Sequence, residues 1–469
     1  MKRLILFMVL LFAGLTAHAW KIKYPGNKLY IYRYTLNDKK ATRHSLKEPQ
    51  KFLSRKSLNR RRKQGIAVDS TDLPIPQNYI RMFSSKETTV LGTSKWQNTV
   101  LVSSSDTTEL CRLSTLPIVK AYRCVYISPD SIEKPEDIRW NVHESFNRWD
   151  SIHNDPYGMS RQQIETLSGH WLHEQGFTGR GVTIAILDGG FQNYNRIPAL
   201  RETRVIGTHD FVGPAMNYRF HKDKETSFHS IDHGTKVFST LAANAPEVCM
   251  GTAPDANYWL LRCEDPNTEQ PVEEDYWTMA AEFADSVGAD IINSSLGYYK
   301  FDNNRGDYRL QDLDGKTAFI SRTASMLARK GIVLCNSAGN SGMGPWKKIG
   351  VPADAQDILT VGAIDKHNRI AAFSSLGPTQ DGRVKPDIVA IGAPTALISG
   401  RGTLINDMGT SFSTPIVTGL VACLWQALPH KTAFEIIDLV RRSGNQYKEP
   451  TNVYGYGIPN FWIAYQTGL

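Results

Sequence analysis

Six short apolar runs recur from residue 182 onward: Val182–Leu187, Tyr258–Leu261, Ile291–Ile292, Ile332–Cys335, Ile358–Val361 and Ile388–Ile391. They carry many β-branched residues and do not alternate with polar ones. Strands buried on both faces look like this, so the pattern predicts a parallel sheet. Segments of helix length lie between them: His233–Ala243, Glu273–Val287, Thr317–Lys330, Ser411–Leu428 and Thr432–Arg442. Alternating strands and helices predict a doubly wound α/β domain over residues 161–469. In such sheets ligands bind beyond the carboxyl ends of the strands. The residues that follow each run are therefore the candidates for chemistry.

The first third of the chain is patterned differently. Lys28–Tyr34 and Thr99–Ser103 predict strands, and Phe52–Gln64 predicts a basic helix stopped by Gly65. Residues 20–130 read as a small α+β unit. The run Arg60-Arg61-Arg62-Lys63 is expected to be a solvated helix face rather than a nucleic-acid patch or a processing site. Residues 131–160 are polar, contain prolines and read as a linker or processing region. Residues 1–19 have a positive start, an apolar run and Ala17-His18-Ala19 before Trp20, the pattern of a secretory signal peptide. The run is shorter than the roughly 20 residues a membrane span needs. No later stretch is long enough either, so no transmembrane segment is expected in the mature chain.

Charge changes this picture by its distribution. The 469 residues carry a net +8. Residues 1–150 hold +13 and residues 151–469 hold −5. A nucleic-acid partner would need a basic large domain, and this one is acidic. Secretion permits disulfides, and six cysteines allow fifteen pairings. Cys249–Cys263 and Cys111–Cys124 are the pairs to test first. Cys335 and Cys423 read as small buried thiols. No C-x-x-C spacing supports a structural zinc.

Asp188, in Leu187-Asp188-Gly189-Gly190, follows the first run. The two glycines leave its carboxylate free to face a crevice. His233 opens a helix, where the positive end of the dipole disfavours the imidazolium and suits a general base. Asn340, in Ala338-Gly339-Asn340, can offer a carboxamide N–H to a developing oxyanion. Ser411, in Gly409-Thr410-Ser411-Phe412-Ser413-Thr414-Pro415, starts a long apolar helix where backbone N–H groups point outward. Each alone has an ordinary reading as a turn residue, polar contact or cap.

Together these blocks resemble the subtilases, the subtilisin-like serine peptidases. The resemblance spans about residues 161–465. It includes Ile186-Leu187-Asp188-Gly189-Gly190, His233-Gly234-Thr235, Gly251-Thr252-Ala253-Pro254, Asn293-Ser294-Ser295-Leu296-Gly297, Ala338-Gly339-Asn340, Phe373-Ser374-Ser375 through Lys385-Pro386-Asp387, and Gly409-Thr410-Ser411. It implies a subtilisin-type sheet and a secreted serine endopeptidase with Asp188, His233 and Ser411 as triad. Asn340 and the Ser411 N–H would form the oxyanion hole. Ser295, Leu296, Gly297, Ala338 and Gly339 would bind an extended peptide substrate and line a roomy pocket. More loosely, residues 20–130 resemble the propeptides of secreted subtilases. That implies a self-processing precursor with the propeptide as intramolecular inhibitor.

The chain departs from common subtilase patterns at Gly189-Gly190, at Lys236 and at Phe412-Ser413-Thr414. Lys236 is expected to point to solvent. An acidic stretch, Glu264, Asp265, Glu269, Glu273, Glu274 and Asp275, allows two readings. One is recognition of basic residues upstream of the cut. The favoured one is helix N-terminal carboxylates plus a solvated loop. The chemistry requires no cofactor. Calcium, which many subtilases carry, is left unplaced because no D-x-D-x-D-G loop occurs. The alternative function is a catalytically silent binding protein on the same scaffold.

Overall fold

The computed structural model describes residues 21–23, 27–133, 154–212 and 231–469. The expected signal peptide, residues 1–19, and residues 134–153 of the expected linker lie outside the described residues. In the N-terminal unit, β1 (Tyr30–Leu36), β2 (Thr89–Ser94), β3 (Thr99–Ser104) and β4 (Val119–Ile127) form an antiparallel sheet of order β2-β3-β1-β4. Helix α1 (Arg55–Lys63) begins at Ser54, whose side chain accepts from the Ser57 N–H. It ends just before Gly65, whose φ of +68° suits a helix stop. Asp106 caps α2 (Thr107–Ser114) in the same way.

The large domain is built on seven strands: β5 (Thr183–Asp188), β6 (Arg204–Asp210), β7 (Asn257–Arg262), β8 (Ile291–Ser294), β9 (Val333–Ser337), β10 (Leu359–Asp365) and β11 (Ile388–Ala393). Their order is β11-β10-β9-β8-β5-β7-β6, and every pairing is parallel. Successive residues alternate between two cores, as the pleat demands. Ile184 and Ile186 pack with Val237, Phe238, Ile416 and Leu420 of α3 (His233–Ala242) and α6 (Thr410–Ala427). Ala185 and Leu187 pack with Tyr276, Trp277 and Ile320 of α4 (Val272–Val287) and α5 (Phe319–Ala324). The last long helix, α7 (Ala433–Arg442), joins the first core. Helices on both faces explain why the strand sequences are apolar throughout.

The second core runs on into the N-terminal unit through Leu29, Ile31, Trp96, Leu101, Val125 and Tyr126. The other face of the small sheet has its own core, including Tyr34, Val100, Val102, Phe83 and Leu110. All six residues of β3 are therefore buried, although an antiparallel sheet usually keeps one wet face. Helix α4 is the dock. Arg33 makes a two-pronged contact with Asp275, its Nε and Nη2 donating at 2.6 and 2.5 Å, and its guanidinium lies 3.5 Å from the Phe319 ring centre. Glu282 accepts from the Lys95 and Trp96 N–H groups at 2.8 and 3.0 Å. Arg60 and Arg61 both pair with Asp285, and Arg61 also holds Asp72 at 3.0 Å.

This corrects the expectation of a solvated basic face. Arg60 and Arg61 are 4% and 1% exposed, and only Arg62 and Lys63 face water. Their partner Asp285 is more than 220 residues away, so no local pattern announces it. The carboxylates Glu273, Glu274 and Asp275 do occupy the first turn of α4, but they are buried, not part of a solvated loop. The predicted helix Thr317–Lys330 is broken into α5 and a turn of 3₁₀ helix, Ala328–Lys330. Ser321 and Ser325 hydroxyls there donate to Asp354 and to the Gly315 carbonyl. Strand β6 escaped prediction because it is an edge with no continuous apolar run. All six cysteines are free thiols. Cys249 and Cys263 lie in different cores, on opposite sides of the sheet, which rules out their pairing. Cys335 and Cys423 are buried, as expected.

Replacing Asp285 by Ala leaves two arginines buried without this carboxylate, a change that costs about 3–5 kcal/mol for a broken buried pair. Urea denaturation of the full chain should show a clearly lower midpoint. An unchanged midpoint would mean that the charged seam does not contribute to docking.

Candidate active site

The carboxyl ends of β5, β7, β8 and β9 lie at one edge of the sheet, and the chemistry gathers there. Asp188 is the last residue of β5 and is fully buried. Its Oδ1 accepts from the Gly189 N–H at 2.8 Å and lies 2.8 Å from His233 Nδ1. The loop behind it is held by Arg262, whose Nε donates to the Gly189 carbonyl. His233 is the first residue of α3. Gly234 lets α3 come this close, since a Cβ there would stand 2.4 Å from the Gly190 carbonyl oxygen.

Ser411 lies in the first turn of α6. Its Oγ donates to the Ser295 carbonyl at 3.3 Å, and the Ser295 hydroxyl donates back to the Ser411 carbonyl at 2.9 Å. Asn340 is exposed beside β9. Its Oδ1 accepts from both the N–H and the hydroxyl of Thr410 at 3.0 Å. With the oxygen so engaged, the amide nitrogen remains as the group available to a ligand.

His233, Ser411, Asn340, Ser295, Leu296, Gly297 and Gly339 line one cleft of about 290 Å³. Ala338 is instead buried in the core behind the cleft wall. A larger cavity, about 360 Å³, lies between the N-terminal unit and α4, away from these residues. Lys236 does not run free into solvent: its Nζ donates to Asp407 at 3.2 Å and sits 3.7 Å from Asp232. Thr410 as the holder of Asn340 was not foreseen. Glu264, two residues past the end of β7, and Glu269 lie on the cleft wall with His233, as the resemblance implied for the acidic stretch.

The electrostatics differ from the helix-dipole expectation. Desolvation pulls the His233 pKa down, but the charge and hydrogen bond of Asp188 outweigh it, with a further push from Glu264. Lys236 opposes them weakly, and the net effect is a rise to about 9. Burial and the neighbouring Asp188 raise Glu264 to about 7. Burial and Glu264 raise Glu269 to about 8.

Comparison with known proteins agrees with this architecture. Residues 179–457 match the model of the Subtilase family, Peptidase_S8. Residues 31–139 match the Peptidase S8 propeptide domain of Bacteroidota. The chain belongs to the subtilase family, the class of subtilisin-like serine endopeptidases, and carries an S8 propeptide domain. It is 28% identical over 333 residues to serine protease AprX of Bacillus subtilis (strain 168), covering 61% of this chain and 66% of that protein. It is 29% identical over 314 residues to Subtilisin NAT of Bacillus subtilis subsp. natto, covering 66% of this chain and 71% of that one. The same identity and length hold for Subtilisin of Bacillus pumilus, of which 98% is covered. The chain thus spans about two thirds of the length of the first two of these relatives. Among the described residues no helix is long and apolar enough to cross a membrane.

In a histidine-labelled full chain, NMR titration of His233 should show the imidazolium persisting to about pH 9. Asp188→Asn removes the main charge that raises it, so the inflection should move to lower pH. An inflection unmoved by Asp188→Asn would contradict this coupling.

Proposed function

We propose that the chain is a secreted, self-processing serine endopeptidase. In this reading Ser411 Oγ attacks the scissile carbonyl while His233, in its neutral form, which prevails above about pH 9, takes its proton. Asp188 holds the imidazole tautomer through the Nδ1 contact and stabilises the imidazolium. The Asn340 amide and the Ser411 N–H receive the charge that develops on the carbonyl oxygen. His233 then gives the proton to the leaving amine, and an ester to Ser411 remains. Water adds to that ester with His233 again as base, which releases the acid and restores the serine. The observation that carries the reading is the 2.8 Å contact of Asp188 with His233 at the wall of the cleft that Ser411 and Asn340 share. The Ser411 hydroxyl bond to Ser295 is consistent with a resting enzyme, in which catalytic hydrogen bonds are often loose until substrate binds.

Ser295, Leu296, Gly297 and Gly339 would take an extended peptide along the cleft. The propeptide is the first such peptide in this reading. At the end of β4, Ile127 exchanges two hydrogen bonds with the Gln270 side chain, its N–H donating at 2.9 Å and its carbonyl accepting at 3.0 Å. Gln270 adjoins Glu269 of the cleft wall, so the end of β4 lies beside the cleft. Cleavage is expected within 131–160. Export by the N-terminal signal peptide is part of the same proposal.

A fluorophosphonate probe should label Ser411 of the mature enzyme, and His233→Ala should abolish labelling. Ser411→Ala should leave the precursor uncut. Labelling elsewhere, or none, would favour a silent scaffold. Asn340→Ala should lower kcat by about 10²–10³ with little change in KM, a size established on subtilisin itself. A loss confined to KM would remove Asn340 from the oxyanion role.

A further inference from the structure

Helix α6 is interrupted just where it holds Ser411. In a regular helix the N–H of residue 415 donates to the Ser411 carbonyl, four residues back. Residue 415 is a proline, which has no N–H and whose ring crowds that same carbonyl. The carbonyl is paired all the same. The Ser295 hydroxyl, just past the end of β8, donates to it at 2.9 Å in a buried setting. Ser295 is 6% exposed and Ser411 9%, so water has little access to take the place of this donor.

The hydroxyl that fills this gap is itself held. Asn293, in β8, donates from Nδ2 to the Ser295 Oγ at 3.3 Å. A serine oxygen that accepts there keeps its single proton for the Ser411 carbonyl. The Asn293 Oδ1 accepts from the Thr418 hydroxyl at 2.8 Å. Thr418 belongs to α6 again, about two turns beyond Ser411 and on the same face of the helix. Asn293 and Thr418 have no exposed surface. Two ties at separate heights on one face fix both the height and the rotation of α6 against the end of β8. In the other direction the Ser411 Oγ donates to the Ser295 carbonyl. Ser295 thus meets both the backbone and the side chain of Ser411.

We propose that Ser295 is a positioning residue for Ser411: its hydroxyl replaces the helix bond that Pro415 cannot make and, through Asn293 and Thr418, fixes the first turn of α6 against the end of β8. The proposal rests on the reading of Ser411 as nucleophile. Without the Ser295 proton the Ser411 carbonyl is a buried acceptor lacking a donor, and the turn must shift to find one. Tilting the peptide between Ser411 and Phe412 turns the Ser411 Cα. It moves the Oγ and the N–H of that residue together, so attack and charge stabilisation suffer at once. A misplacement of about 1 Å at such a group costs on the order of 10²-fold in rate. The Ser295 side chain is spent on the helix backbone, while its carbonyl stays in place whatever side chain the residue carries. Removing the hydroxyl therefore acts on the chemical step and not on peptide affinity. A hydroxyl that served only as a helix prop would lower stability and leave kcat alone.

The test compares the parent with Ser295→Ala, Pro415→Ala, the double variant and Thr418→Val, each made as the full chain and checked for folding by circular dichroism. A fluorophosphonate probe gives the rate of Ser411 labelling, and a peptide substrate gives kcat and KM of the mature enzyme. Ser295→Ala should lower the labelling rate and kcat about tenfold or more, with KM little changed. Arrest of a folded precursor before processing counts as the same loss. Pro415→Ala returns an N–H to the helix, so adding Ser295→Ala in that background should cost less than about threefold. Thr418→Val removes the far tie and should lower kcat by less than Ser295→Ala does. If Ser295→Ala does not fold, Thr418→Val carries the test, and a parental kcat in the folded variant overturns the proposal. Parental labelling and kcat in Ser295→Ala, a loss confined to KM, or an equal loss with and without Pro415 overturns it as well. A parent that is labelled away from Ser411, or not at all, defeats the reading of Ser411 as nucleophile, and the proposal falls with it.

Discussion

Asp188 stands across the ladder from Arg262, Leu187 from Ser294, and Ser294 from Asn336. This shared register of parallel strands fixes everything at the cleft. It places the ends of β5, β7, β8 and β9 side by side, so groups from four distant segments arrive at one edge. An antiparallel neighbour would have sent its carboxyl end to the far side. The helices then return to the same edge with their N-termini. His233 and Ser411 both enter on the first turn of a helix that packs on one face of the sheet.

Helix α4 links this site to the propeptide. Its first turn carries Glu273 toward the cleft and Asp275 toward Arg33. Further along, Glu282 and Asp285 receive β2–β3 and α1. The overall asymmetry of charge, +13 against −5, is thus concentrated into a few desolvated pairs. Such pairs fix orientation, because a displaced arginine would lose its carboxylate inside a dry interface. The apolar contacts of Ile31, Trp96 and Leu101 supply area without direction.

Burial acts differently on the titrating groups of the cleft. For Glu264 and Glu269 desolvation and like charge act together and raise the pKa. For His233 desolvation is opposed by Asp188 and loses. The dipole at the start of α3 was expected to keep the imidazole neutral. A carboxylate in hydrogen-bond contact is nearer and stronger than a helix end, so the direct partner decides.

The chain's order of apolar runs was enough to predict the doubly wound parallel sheet, since burial on both faces leaves no polar alternation to read. The grouping of Asp188, His233, Asn340 and Ser411 was legible only through the ordered blocks that resemble the subtilases, since each residue alone had an ordinary reading as turn residue, polar contact or cap. Edge strand β6 and the interrupted segment after residue 317 were not legible, because half-exposed residues and tertiary hydroxyl bonds leave no periodic signal. Nor were the burial of Arg60 and Arg61, the capture of Lys236 by Asp407, or the separation of Cys249 from Cys263. The amino-acid sequence by itself determined which segments are buried and in what order they come. Only the tertiary structure decided which charges face one another, because electrostatic partners are set by distance in space and by lost water, and neither is written along the chain.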